Sequence, residues 1–179
     1  MSTQRWPLVD LLSRSTDVDF AETTLAKVLA GLPPLTSQGP WLAGGALRRT
    51  LLGQEPKSDF DMFFRDADQL AAYLSKLEAS GFRKVRETEH HVHLRGASGE
   101  MKLEIDVQLI RFAFYPDAEA VLDSFDFTIC QFAYDGETLT AGEFALWDLG
   151  RKRLAIHRVS FPVSTMRRMI KYASQGFTA

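Results

Sequence analysis

The sequence predicts an α+β fold, a mixed and partly antiparallel sheet flanked by helices, and three observations lead there. Leu103, Ile105, Val107 and Leu109 alternate with Glu104, Asp106 and Gln108, the period of a half-buried strand. Asp135-Gly136 follows an apolar run and reads as a hairpin turn. Residues 67–79 instead space Leu70, Leu74 and Leu77 along one side of a helix, behind acidic residues at Asp66 and Asp68 and ahead of Gly81 as a C-terminal stop. Helices and strands interleave without repeat, linker or low-complexity tract.

Taken in order, residues 18–31 show helical spacing of Val18, Leu25, Val28 and Leu29, and Pro33-Pro34 stops that helix. After a polar turn, Trp41–Ala43 reads as a short strand and 46–52 as a helix closed by Gly53. A strand follows at 59–64, then helix 67–79. Residues 82–95 and 100–112 read as two strands joined at Gly96-Ala97-Ser98-Gly99. Beyond a helix at 117–124 come a strand at 127–134, a short helix at 142–149, a brief strand at 154–159 and a final helix at 163–174.

A chain of 179 residues is of ordinary single-domain size, burying roughly 70% of its unfolded surface. Hydrophobic residues make up 45% and charged residues 25%, the balance of a globular protein. No window approaches the roughly 20 apolar residues of a membrane span, and the N-terminus lacks the pattern of a secretion leader. The single cysteine, Cys130, excludes an intramolecular disulfide and a multi-cysteine zinc site. The expectation is a cytoplasmic protein with no membrane partner. A net charge of −2 leaves nucleic-acid binding to local patches.

The chemistry concentrates in Gly44-Gly45-Ala46-Leu47-Arg48 and, beyond it, Ser58-Asp59-Phe60-Asp61. Period-two geometry puts Asp59 and Asp61 on one strand face, with Phe60, Met62 and Phe64 on the other. Two like charges so close repel unless a cation lies between them. Glycines let a backbone approach a ligand, and a following helix start offers N–H groups to phosphate. Metal plus triphosphate is the chemistry these parts suggest, with Asp59, Asp61 and Asp106 as ligands of two Mg²⁺ (or Mn²⁺) ions and Gly44, Gly45 and Arg48 on the phosphates. Each element alone has an ordinary reading as a solvated strand face or a loop; in this order they support one another.

These segments resemble the head domain of the polymerase-β-type nucleotidyltransferases, in particular bacterial CCA-adding enzymes and poly(A) polymerases. Gly44-Gly45-Ala46-Leu47-Arg48 resembles that family's Gly-Gly-x-Val-Arg-Asp loop, Ser58–Asp61 its Asp-x-Asp strand, and Glu104-Ile105-Asp106 with Arg111 its next strand. Phe125-Asp126-Phe127-Thr128-Ile129-Cys130 is similar to its Arg-Arg-Asp-Phe-Thr-Ile-Asn segment, which implies a nucleotide-binding role for Asp126. Trp147-Asp148-Leu149 to Arg153-Leu154 resembles the turn that follows, and Arg168, Lys171, Tyr172, Gly176 and Phe177 the helix that begins the neck.

The resemblance implies a single nucleotidyltransferase-like domain over 1–179, with a helical lead-in at 1–38 and a neck-like helix from 163. It implies transfer of a nucleoside monophosphate from a nucleoside triphosphate such as ATP to an acceptor hydroxyl, an RNA 3′ end or tRNA-like acceptor among them, with release of pyrophosphate. The departures are Ser124 and Phe125 where the family has arginines, Cys130 for Asn and Arg49 for an acid. The neck, body and tail domains of the family lie beyond the region matched. Those departures support an alternative, an inactive nucleotide- or RNA-binding module on the same fold. Asp126 competes with Asp106 as third carboxylate; the clean alternation around Asp106 favours the latter.

Elsewhere, Glu89, His90, His91 and His93 read as a polar strand face, since nothing completes a four-ligand zinc set; the alternative is that one of the histidines faces the incoming acceptor. Phe112, Phe114 and Tyr115 read as core, and Cys130 as a buried small side chain. Arg151, Lys152, Arg153, Arg158, Arg167, Arg168 and Lys171 form the most basic region, a solvated face or a surface for phosphates.

Overall fold

A computed structural model of the protein describes residues 1–15, 19–56 and 59–179. Val18 and Ser58, read above as parts of a helix and a strand, lie outside the described residues. Eight strands form one sheet: β1 (Thr3–Pro7), β2 (Trp41–Ala43), β3 (Phe60–Phe63), β4 (Arg83–Glu87), β5 (His91–Ser98), β6 (Leu103–Ile110), β7 (Phe132–Tyr134) and β8 (Thr138–Gly142). Their order is β1-β8-β7-β2-β3-β6-β5-β4, with β3 and β6 parallel and every other pair antiparallel. The helices are α1 (Leu8–Ser15), α2 (Thr24–Leu29), α3 (Gly45–Leu51), α4 (Ala67–Ala79), α5 (Ala118–Asp123), α6 (Ala145–Gly150) and α7 (Pro162–Ser174). The α+β expectation is met.

Alternation sorts the core onto the two faces of the sheet. Leu42, Phe60, Met62, Val92, Leu94, Val107 and Leu109 point to one side, where Leu25, Val28, Leu47, Leu70 and Leu77 of the helices cover them. Trp41, Ala43, Phe63 and Ala133 point to the other, beneath Val121 and Leu122 of α5. Asp61 stands opposite Ala43 in the β2–β3 register, so the two-residue period assigns it to this second face.

Local chemistry explains the helix ends. Asp66 accepts a hydrogen bond from the Gln69 amide at 2.8 Å, Asp117 from Ala120 at 2.8 Å and Thr23 from Ala26 at 3.2 Å, each satisfying a first-turn N–H. At the far end of α4, Gly81 takes φ +93°, and the Phe82 amide reaches back to the Leu77 carbonyl.

Several expectations need correction. The segment read as one strand over 82–95 is two, because Thr88 Oγ1 accepts the amides of His90 and His91 and turns the chain between β4 and β5. Gly96 is not in the turn, which falls at 99–102, but inside β5, where a Cβ would meet Phe82 Cγ at 2.6 Å. Gly96→Val is therefore expected to cost about 1–3 kcal/mol through overpacking, read as a fall in melting temperature.

The strand expected over 127–134 begins only at Phe132; Thr128–Cys130 is a 3-10 turn held by Thr128 Oγ1 donating to Asp148 at 2.6 Å. No strand forms at 154–159, where the His157 and Arg158 amides both bond the Asp126 carbonyl. Phe112 and Phe114 are exposed rather than core, and only Tyr115 of that run is buried. The lead-in also contains β1, an edge strand, besides its helices.

Candidate active site

The parallel register of β3 and β6 sets Asp61 beside Gln108 and Phe60 beside Val107, which brings Asp59 level with Asp106. Antiparallel β5 adds His93 opposite Gln108 and Arg95 opposite Asp106. One sheet face thus gathers Asp59, Asp61, Asp106, Gln108, His93 and Arg95, while their neighbours in sequence fill the core behind. The Gln108 side-chain amide donates to the Asp59 carboxylate. Asp106 accepts from Arg95 through Nε at 2.9 Å and Nη2 at 3.2 Å, and its Oδ1 is 2.7 Å from His93 Nε2. The Arg95 hydrogen bonds and then that of His93 hold the Asp106 carboxyl below its ordinary range, so it stays ionised.

A cleft of about 370 Å³ opens over Asp59 and Asp61 and is lined on its other walls by Gly44, Gly45, Phe125, Asp126 and one side of α7. Gly44 caps α3 with φ +88°, a conformation that excludes most side chains, and its N–H bonds the Phe132 carbonyl at 3.2 Å. Arg168, Lys171, Tyr172 and Gln175 fall at helical spacing on the α7 side facing the cleft.

Burial pushes the Asp61 carboxyl up to about 7, the nearby Asp59 charge adds to that, and Lys171 opposes it. Two carboxylates crowded in this way fit a divalent cation, which would remove the penalty of charging both at neutral pH.

The other site residues are placed as follows. Arg48 lines the cleft but is buried, its guanidinium 4.5 Å from the Tyr172 ring centre and 5.8 Å from that of Phe177. It donates to Gln175 Oε1 at 3.2 Å and so ties α3 to α7. Asp126 is buried and accepts from Arg168 Nε at 2.7 Å; it does not join Asp59, whereas Asp106 does. Phe125 packs edge-to-face on Phe63. Cys130 is buried, with its thiol 3.1 Å from the Tyr172 hydroxyl.

Of the basic region, Arg168 and Lys171 turn into the cleft, Arg153 pairs with Asp148, Arg158 with Asp123, and Arg151 stacks on Trp147. Sequence reasoning missed Gln108, Gln175, Arg95 and the approach of His93 to Asp106. The period-two rows through 91–95 and 104–108 were the available signal.

Three kinds of similarity bear on the chain. A family whose sequence model is described as "Gabija anti-defense 2 family protein" matches residues 17–152. A curated relative, "Gabija anti-defense 2" of Bacillus phage SPbetaL7, is 29% identical over 140 residues. That match takes in 76% of this chain and 33% of the relative.

Among solved structures, a Thermotoga maritima CCA-adding enzyme complexed with tRNA aligns with a TM-score of 0.57 at 21% identity, over 96% of this chain and 41% of that one. A CCA-adding enzyme in complex with ATP aligns at 0.60 and 21%, over 99% and 43%. A tRNA-processing enzyme complex aligns at 0.57 and 25%, over 77% and 39%. The fold is that of polymerase-β-type nucleotidyltransferase heads, and the chain spans about a third to two fifths of the length of these relatives. No helix among the described residues is long and apolar enough to cross a membrane.

Proposed function

The chain belongs to the Gabija anti-defense 2 family, and from that premise we propose that it is a metal-dependent nucleotidyltransferase serving the anti-defence role that the family's name states. The reading rests above all on one observation: Asp59, Asp61 and Asp106 share one sheet face, and Asp59 and Asp61 line a cleft whose rim is the Gly44-Gly45 turn. Neighbours of the same fold complexed with ATP and with tRNA support a nucleoside triphosphate as donor and an RNA 3′ end as acceptor.

Asp59, Asp61 and Asp106 would hold two divalent ions, Mg²⁺ or Mn²⁺, which supply a lowered pKa at the acceptor hydroxyl and neutralise charge on the departing pyrophosphate. The Gly44 and Gly45 backbone lets the phosphates come close, since no side chain stands between them and the cleft. Lys171 and Arg168 bring positive charge from α7. Arg48 acts from behind, fixing α7 against α3 so that this wall keeps its place, and Asp126 orients Arg168. The acceptor oxygen attacks the α-phosphorus, a new P–O bond forms as the bond to the bridging oxygen breaks, pyrophosphate leaves, and the hydroxyl proton goes to water.

The test is incubation with each α-labelled nucleoside triphosphate, Mg²⁺ or Mn²⁺, and pools of RNA and protein acceptors. Label is expected in an acceptor pool with the unaltered protein and not with Asp59→Asn. Absence of label from every pool, together with no nucleotide-dependent rise in melting temperature, would refute the proposal.

A further inference from the structure

His93 lies on a strand that the metal-binding motifs do not include, yet its ring meets them. One ligand atom each from Asp59, His93 and Asp106 lies within 4.8 Å of the other two, close to the span of opposite ligands on a cation with bonds of about 2.1 Å. We propose that His93 is a direct ligand of the divalent ion held by Asp59 and Asp106, and that its imidazole makes this position prefer a transition-metal ion such as Mn²⁺ over Mg²⁺. This rests on the nucleotidyl-transfer reading above.

The hydrogen bonds around the trio support ligation over a merely supporting role for the ring. Each carboxylate already has its own orienting partner: Gln108 donates to Asp59, and the Arg95 fork reaches both oxygens of Asp106. Outer partners of this kind usually fix metal ligands in place. Asp106 therefore needs no imidazole to stay oriented. His93 Nε2 nonetheless sits 2.7 Å from Asp106 Oδ1, in a ring only 19% exposed. Without a cation the ring proton sits on Nε2 and serves the Asp106 hydrogen bond; with a cation bound the ring takes the tautomer protonated on Nδ1, and Nε2 presents a lone pair to the same space that the two carboxylates face.

Mg²⁺ favours an all-oxygen shell and gains little from such a donor. Imidazole nitrogen suits the later first-row ions, and affinity for a mixed nitrogen–oxygen site rises along that row from Mn²⁺.

The test uses the full chain and Mn²⁺ alone. Loss of the free-ion EPR signal measures binding, pulsed EPR reads ¹⁴N hyperfine coupling, and Mg²⁺ affinity follows by competition. Bound Mn²⁺ is expected to show an imidazole ¹⁴N coupling. His93→Gln, which keeps a donor for Asp106, is expected to abolish the coupling and weaken Mn²⁺ about 10- to 100-fold, with Mg²⁺ affinity moving less than about twofold.

Mn²⁺ bound without ¹⁴N coupling, or equal weakening of both ions by His93→Gln, would overturn this assignment and leave the transfer reading standing. Failure of the unaltered chain to bind either ion would overturn both. The coupling is read on the unaltered protein, so it does not depend on how the variant folds.

Discussion

Asp61→Asn is expected to reduce nucleotide transfer by about 10²- to 10³-fold, the order lost with a single preorganised transition-state contact, while stabilising the metal-free protein at alkaline pH. The two effects have one cause. Burial and the Asp59 charge raise the Asp61 carboxyl from 3.8 to about 7. The folded state therefore binds a proton more tightly than the unfolded chain does. The stability tied to that proton is fully present below pH about 4 and is lost as pH rises to about 7 and beyond.

Asparagine carries no charge, so the variant lacks this fall. Its melting temperature should exceed that of the unaltered protein above pH 7, by an amount worth a few kcal/mol at most. Mg²⁺ with nucleoside triphosphate should reverse the order, because only the aspartate gains from the cation. Calorimetry across pH 4–9, with and without Mg²⁺ and nucleotide, checks both parts. A variant no more stable than the parent at pH 8 would contradict the account of Asp61.

Phe127→Ala is expected to lower stability by about 3–5 kcal/mol, a fall of roughly 6–20 °C in melting temperature for a chain of this size. Phe127 is fully buried and packs edge-to-face on Tyr172 with ring centres 5.4 Å apart. Tyr172 in turn lies under the Arg48 guanidinium and against Phe177. Removing the Phe127 ring empties the seat of α7, the helix that faces Arg168 and Lys171 into the cleft. Phe127→Leu keeps most of the volume and should cost less than about 1.5 kcal/mol. Urea unfolding of the two variants checks the magnitudes. Equal losses would mean that ring packing is not what holds α7.

Legibility in the sequence followed the length and contrast of the local pattern. The caps of α4 gave bounds that hold to the residue, and the alternation through Leu103–Leu109 gave a strand that forms, though over Leu103–Ile110 and not the whole of 100–112. The apolar run from Phe127 to Tyr134 did not, because both a strand and a tight turn bury such residues, and the Thr128–Asp148 contact that decides between them spans distant segments. β1 and β4 escaped or blurred because edge strands face solvent; every residue of β4 is exposed, so no buried face imprints a period.

At the site, Gly44-Gly45 and the Asp59/Asp61 pair were legible since their chemistry lies in near-neighbour spacing. His93, Arg95 and Gln108 join them only through strand register, and Arg48 meets Gln175 across most of the chain. Spacing in one strand says nothing about which residue of another stands opposite.

The central claim, that Asp59, Asp61 and Asp106 converge on divalent ions beside a triphosphate, is tested most directly by crystals grown with Mn²⁺ and a non-hydrolysable nucleoside triphosphate. Anomalous difference peaks are predicted between these three carboxylates, with the phosphates against Gly44 and Gly45. Peaks at Asp126 in place of Asp106, or none on the Asp59–Asp61 face, would contradict it.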